Sequence, residues 1–222
     1  ILITTNDIDR DLAALLFSSL GTLTEKIESR ELGQTWVVTL KKEAMLSDGE
    51  PLTANDVIYT LNTIQDINTH SPLLITWQGV VAEKLSDYEI KFTLKAPYVF
   101  FNDNLKSLKL IPQHIFSVIP ASNIKLSSYN LEPIGSGPYT FKASNKRKDG
   151  FITDYYLILN PNYIEQKPYI EKLHLKFFEN GQEAGKNFNK LGIIGIGGLD
   201  RKELENIKTD YQAFDLSIPR YY

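Results

Sequence analysis

The chain has 222 residues, 42% of them hydrophobic and 23% charged, an ordinary globular balance with enough length to bury a core. A net charge of -3 excludes bulk attraction to a nucleic-acid backbone, and the absence of cysteine excludes disulfides and thiolate metal sites. No apolar run approaches the roughly 20 residues a membrane helix needs.

From the N-terminus, Asp9 to Leu20 reads as a helix, with Leu12, Leu15, Leu16 and Leu20 on one face and Gly21 as its stop. Trp36 to Leu40 is strand-like. In Ser47-Asp48-Gly49 the Asp bonds its own backbone and Gly accepts a positive φ, so a turn is expected, with Pro51 stiffening its exit. Thr53 is placed to cap a helix and Asp56 to complete a capping box. Leu52 and Val57 flank them as a hydrophobic staple. Val57, Ile58, Leu61 and Ile64 continue as a helical stripe, so a helix starts near Ala54. Val80 to Leu94 reads as a hairpin around Ser86-Asp87, because Ile90, Phe92 and Leu94 alternate with polar residues. Prolines and scattered Ser and Asn break up residues 102 to 133.

Tyr139 to Phe141 and Tyr155 to Leu159 are expected to pair across a polar loop, whose Lys146-Arg147-Lys148 reads as a solvated hairpin tip. Leu173, Leu175 and Phe177 mark another half-buried strand, with His174 on its polar face. A short helix is expected over Glu183 to Leu191, and a brief buried strand over Ile193 to Ile196. Asp200 with Glu203 forms a second capping box opening a helix over Arg201 to Lys208. Strands and helices mix without regular βαβ alternation, which indicates an α/β or α+β domain rather than a barrel or doubly wound sheet.

No catalytic constellation is legible. His70, His114 and His174 are far apart in sequence and in no metal-ligand spacing. Ser136 lacks the G-x-S-x-G context of a nucleophile elbow, and Pro138 would abort the helix that such an elbow needs. The glycine-rich "IGIGG" at 194 to 198 has neither the Lys-Ser/Thr of a phosphate loop nor a complete G-x-G-x-x-G, and reads as a strand ending in a turn.

Four stretches in order resemble the large solute-binding proteins of dipeptide, oligopeptide and nickel ABC importers. Ser47-Asp48-Gly49-Glu50-Pro51-Leu52-Thr53-Ala54-Asn55-Asp56-Val57 is similar to that family's segment between a strand and a helix. Asp87 to Tyr98 resembles its hairpin ending in L-x-x-P-Y, and Pro133-Ile134-Gly135-Ser136-Gly137-Pro138-Tyr139 its P-I/V-G-T/S-G-P-Y. Asn160-Pro161-Asn162-Tyr163 with Lys167-Pro168-Tyr169-Ile170 resembles N-P-x-Y-W-x-x-K-P-x-I/L. Ile164 replaces the usual Trp, and Gly192-Ile193-Ile194-Gly195 lacks the acid of the family's G-x-I-D.

The resemblance implies an α/β fold of the periplasmic-binding-protein-like type II, a mixed sheet flanked by helices. It implies one lobe of a two-lobe protein, with 1–35 and 134–222 as the main lobe and 36–133 as an inserted subdomain. The C-terminal lobe would be absent, and Ile1, with neither Met nor a signal peptide before it, suggests a trimmed piece. Implied too is a substrate-binding component of an importer, with no catalytic or metal residues and no cofactor. It would be a monomer, extracytoplasmic in the periplasm or as a cell-surface lipoprotein. Its partners would be a peptide or similar solute and the membrane permease, and no nucleic acid. The alternative is a ligand-sensing or interaction module on the same fold. By position in such a protein, Thr5, Asn6 and Asp7 before the first helix, Trp77 in a middle loop, and Tyr221 and Tyr222 at the crossing to the second lobe are the residues expected at ligand. The partner for a peptide's amino end would lie in the other lobe. The 46 to 61 stretch would be scaffold.

Overall fold

A computed structural model describes residues 2, 6–188, 190, 193–199, 201–204, 207 and 212. In chain order they form α1 (Asp7–Leu16), α2 (Leu20–Leu23), β1 (Thr24–Arg30), β2 (Thr35–Leu40), α3 (Ala54–Gln65), α4 (Leu74–Trp77), β3 (Val81–Ser86), β4 (Glu89–Thr93), α5 (Phe101–Ser107), α6 (Gln113–Phe116), β5 (Tyr139–Lys146), β6 (Ile152–Leu159), β7 (Lys172–Lys176), α7 (Gly181–Phe188) and α8 (Arg201–Leu204). Two compact units result, 1–175 and 176–222.

In the first unit the strands make two sheets. One is ordered β1-β2-β4-β3 with every pair antiparallel, and the other is ordered β5-β6-β7. In the first sheet Trp36 faces Phe92 and Val38 faces Ile90 across the β2–β4 ladder. These four side chains are buried, and α3, α5 and α6 close the core over them with Leu61, Ile64, Leu105 and Phe116. The expected hairpin over 80–94 is β3–β4, and the expected pairing of residues 139–141 with 155–159 is β5–β6, in a register that sets Tyr139 opposite Leu159. The residue 35/36 division drawn from sequence falls inside the β1–β2 hairpin, where Arg30 pairs with Thr35.

The turn and cap chemistry of residues 46–57 forms as read. Gly49 has φ +92°, the Leu46 and Glu50 backbones bond across the turn, and Pro51 leads to Leu52, which is fully buried. The Thr53 hydroxyl accepts from Asn55 N, and Asp56 Oδ2 accepts from Thr53 N at 2.9 Å. Asp56 does more than cap its own helix: its other oxygen accepts from Gln113 N at 2.9 Å, so one buried carboxylate holds the N-termini of both α3 and α6. Thr60 and Thr63 interrupt the apolar stripe yet are buried. Their hydroxyls donate to the carbonyls of Asp56 and Tyr59, and Thr60 Oγ1 also accepts from Ile111 N.

Two expectations are corrected. The helix expected over Asp9 to Leu20 stops at Leu16, and Gly21, expected as its stop, lies within the separate α2. Tertiary contacts end it: Lys109 Nζ donates to the Ala13 and Phe17 carbonyls, and Gly137 N donates to the Leu16 carbonyl. Gly135 and Gly137 sit so close to this helix end that a Cβ on either would run into the Leu16 backbone. The G-S-G of "PIGSGPY" is therefore a close-approach motif. The strand expected over Ile193 to Ile196 does not form: these residues have no ladder partner among the described residues, and Ile194 is 99% exposed. Hydrophobicity alone does not make a strand without an edge to pair with.

The second unit contains α7 and α8. The first covers most of the helix expected from Glu183, and the second begins at Arg201 as expected. Asp200, the expected cap, lies outside the described residues.

Candidate functional site

A cluster of exposed apolar side chains lies at one end of the four-stranded sheet. Leu32 is 89% exposed, and Tyr98, Val99 and Phe100 are exposed beside it. The chain enters from β1 through the 3-10 turn Glu31–Gly33, where φ is +50° at Glu31, +56° at Leu32 and +93° at Gly33. For two L-residues this conformation costs on the order of 1 kcal/mol each, and it persists only where surroundings impose it. Those surroundings are identifiable. The Gly33 carbonyl accepts from Trp36 Nε1 at 2.9 Å and from Tyr98 N at 3.2 Å. Thr35 Oγ1 donates to Glu31 Oε2 at 2.6 Å, and Gln34 and Leu94 exchange two bonds. The 3-10 turn and the Tyr98 loop after β4 are thus tied into one rim.

Phe101 anchors that rim from below. It is buried at the start of α5, with ring centroids 5.4 Å from Trp77, 6.0 Å from Trp36 and 6.3 Å from Phe92. The preceding residue, Phe100, points the other way and meets Tyr98 edge to face at 6.0 Å. The result is a largely apolar surface standing in water on a hydrogen-bonded frame, large aromatic area at low entropic cost.

Of the residues expected at ligand, Asn6 is the N-cap of α1: its Oδ1 accepts from Asp9 N at 2.8 Å and its Nδ2 donates to Asp9 Oδ2. Asp7 pairs with Arg10 at 3.2 Å. Trp77 lies on the short helix α4 rather than in a loop and is 2% exposed, its indole packed on Phe101. Thr5, Tyr221 and Tyr222 lie outside the described residues. Leu32, Val99 and Phe100 were not singled out from sequence. The signal was there in the unbroken apolar run Tyr98-Val99-Phe100-Phe101 after Pro97, but only the backbone tells which of two adjacent phenylalanines is buried.

Several ionisable groups elsewhere serve the scaffold. His114 Nε2 lies 2.9 Å from Asp48 Oδ2, tying the 47–49 turn to α6. His174 Nε2 lies 2.7 Å from Asp154 Oδ1, and its ring stacks on Tyr156 at 4.3 Å. Burial raises the Tyr155 and Tyr139 phenols, which donate to the Leu131 and Ile170 carbonyls, and desolvation lowers Lys109. Ser136 is buried, its carbonyl accepting from Ser18 Oγ at 2.7 Å. Among the described residues no group of three or more His, Asp or Glu is arranged to hold a metal.

Comparison with known proteins places these features in context. The model of the bacterial extracellular solute-binding proteins, family 5 Middle, matches residues 21–213. The oligopeptide-binding protein AppA of Bacillus subtilis is 28% identical over 236 residues, covering 100% of this chain and 42% of that protein. Its structure in complex with a nonapeptide superposes with a TM-score of 0.76 over 86% of this chain and 40% of that one, at 28% identity. The ABC transporter substrate-binding protein CtaP of Listeria monocytogenes superposes with a TM-score of 0.75, at 26% identity and over 86% and 40% of the two chains. The chain thus spans about two fifths of the length of these relatives.

Proposed function

Because the chain belongs to the family 5 bacterial extracellular solute-binding proteins, we propose that it forms the N-terminal lobe of an ABC importer's substrate-binding component and supplies one wall of the ligand cleft. The ligand would be a peptide or a similar small solute, captured as two lobes close by hinge motion and passed to a membrane permease. A peptide would be held mainly through its backbone, which gives affinity with little sequence preference. No bond is made or broken in this role. The protein would work outside the cytoplasm as a monomer, in the periplasm or tethered to the cell surface by lipid. Within the lobe, 1–35 with 134–222 and the inserted 36–133 are proposed as its two subregions.

The observation that carries this reading is the exposed Leu32, Tyr98, Val99 and Phe100 surface on its rigid rim. An apolar face of this kind on a preorganised frame suits contact with a ligand's side chains. The relatives named above support the solute class.

The test uses the full-length protein. Mass spectrometry of the ligand that co-purifies with it identifies the solute. Phe100→Ala and Tyr98→Ala should then weaken that ligand at least about tenfold, roughly 1.4 kcal/mol, with the melting temperature held. Unchanged affinity in both variants would remove this surface from the cleft.

A further inference from the structure

A groove of about 240 Å³ opens between the outer face of α3 and residues 117–124, lined among others by Tyr59, Asn62, Asp66, Ser117, Ile119 and Ile124. We propose that it is a binding site for a primary ammonium group carried on a short aliphatic stem. This site is separate from the proposed ligand wall and does not depend on it.

Charge comes first. The helix α3 has no basic residue in its last turn and ends at the C-cap Asp66, so the negative end of its dipole and a carboxylate stand together. Asp66 Oδ1 accepts from Asn68 N and Nδ2, both at 2.9 Å, while Oδ2 meets no donor among the described residues. No Lys, Arg or His lines the groove. His70 and Lys125, on the flanking turns, are exposed and pair with no acid among the described residues. The charge at this end of the groove therefore favours a cation and disfavours an anion.

The other lining groups specify its shape. The Asn62 amide and the Ser117 hydroxyl make no side-chain hydrogen bond among the described residues, so both remain free to accept from an ammonium. Tyr59 is half-buried, and desolvation pushes its phenol up, so a neutral aromatic side chain lines the groove, the kind of surface on which a cation packs. Ile119 and the buried Ile124 supply apolar surface for a methylene stem. The volume is below the roughly 300–1,000 Å³ of pockets for drug-sized ligands, which limits the guest to a few heavy atoms. A free alkylamine and a lysine side chain of another protein share this chemistry.

The experiment follows the Ile119 and Ile124 methyl signals by NMR in the full-length protein during titration with n-butylamine, 1-butanol and N-acetyl-lysine methylamide. Butylamine should give saturable shifts at both methyls and butanol shifts at least tenfold weaker. Asp66→Asn, which keeps an oxygen for the Asn68 cap, should weaken butylamine at least tenfold, whereas Glu43→Gln, the same charge change elsewhere, should not. Ser117→Ala should weaken it a fewfold. Matching shifts with the lysine derivative support a protein side chain as the guest, and shifts with butylamine alone support a free amine. Equal response to butanol and butylamine, or wild-type binding by Asp66→Asn with an unperturbed methyl spectrum, overturns the proposal.

Discussion

The joint at residues 46–65 and the rim formed by Glu31–Gly33 with Tyr98–Phe101 are built from similar materials and reach opposite ends. Each uses a tight turn, a proline and a helix start. In the joint, Leu52 and Val57 are buried and the Asp56 carboxylate serves two helices. In the rim, the backbone bonds and Phe101 are just as secure, but Leu32, Val99 and Phe100 are left in water. A stable frame therefore does not by itself mark scaffold. What separates the two regions is whether the apolar side chains on the frame have been given somewhere to go.

The sharpest way to break this contrast is to compare adjacent phenylalanines. Phe101→Ala removes a ring packed among Trp36, Trp77 and Phe92, and should destabilise the protein by about 3–5 kcal/mol in denaturant unfolding. Phe100→Ala, one residue away and 68% exposed, should stay within about 0.5 kcal/mol. Equal losses would mean that the two rings share one core and the rim is not a presented surface.

Gly137→Ala probes a third region, where the chain touches the end of α1. Its Cβ has no room against Leu16 and Phe17, so thermal unfolding should show a loss of about 1–3 kcal/mol, with ligand affinity in the full-length protein reporting whether α1 shifts.

Tyr155 gives a pH-dependent test of the β5–β6 sheet. Burial raises its phenol above the ordinary 10.0, so the folded state holds the proton more tightly than the unfolded chain. Its contribution is fully present below about pH 10 and is lost as pH rises above the unfolded value. Tyr155→Phe should lose about 1 kcal/mol at neutral pH with the bond to Leu131, and should show a shallower decline above pH 10 than the wild type in parallel denaturant titrations.

Thr53→Ala is the mildest change. It removes the cap of α3 and should cost about 1 kcal/mol, with ligand affinity in the full-length protein unchanged. A marked affinity loss at constant melting temperature would move the joint from scaffold to site.

Local rules carried much of this fold. The 47–49 turn, the Thr53–Asp56 capping box, the α3 stripe and the β3–β4 hairpin were all legible because each depends on residues within a few positions of one another. The family was legible too, since four motifs kept their order. Longer-range contacts decided the rest. The end of α1 at Leu16 is set by Lys109 and Gly137, about ninety and one hundred and twenty positions downstream, so no local stop signal announces it. Ile193 to Ile196 has the composition of a strand, but pairing needs an edge that composition does not supply. Trp77 and Phe100 are both aromatic in sequence. Only the packing around Phe101 buries the first and turns the second outward, because a side chain's burial depends on which distant elements close over it, not on its own hydrophobicity.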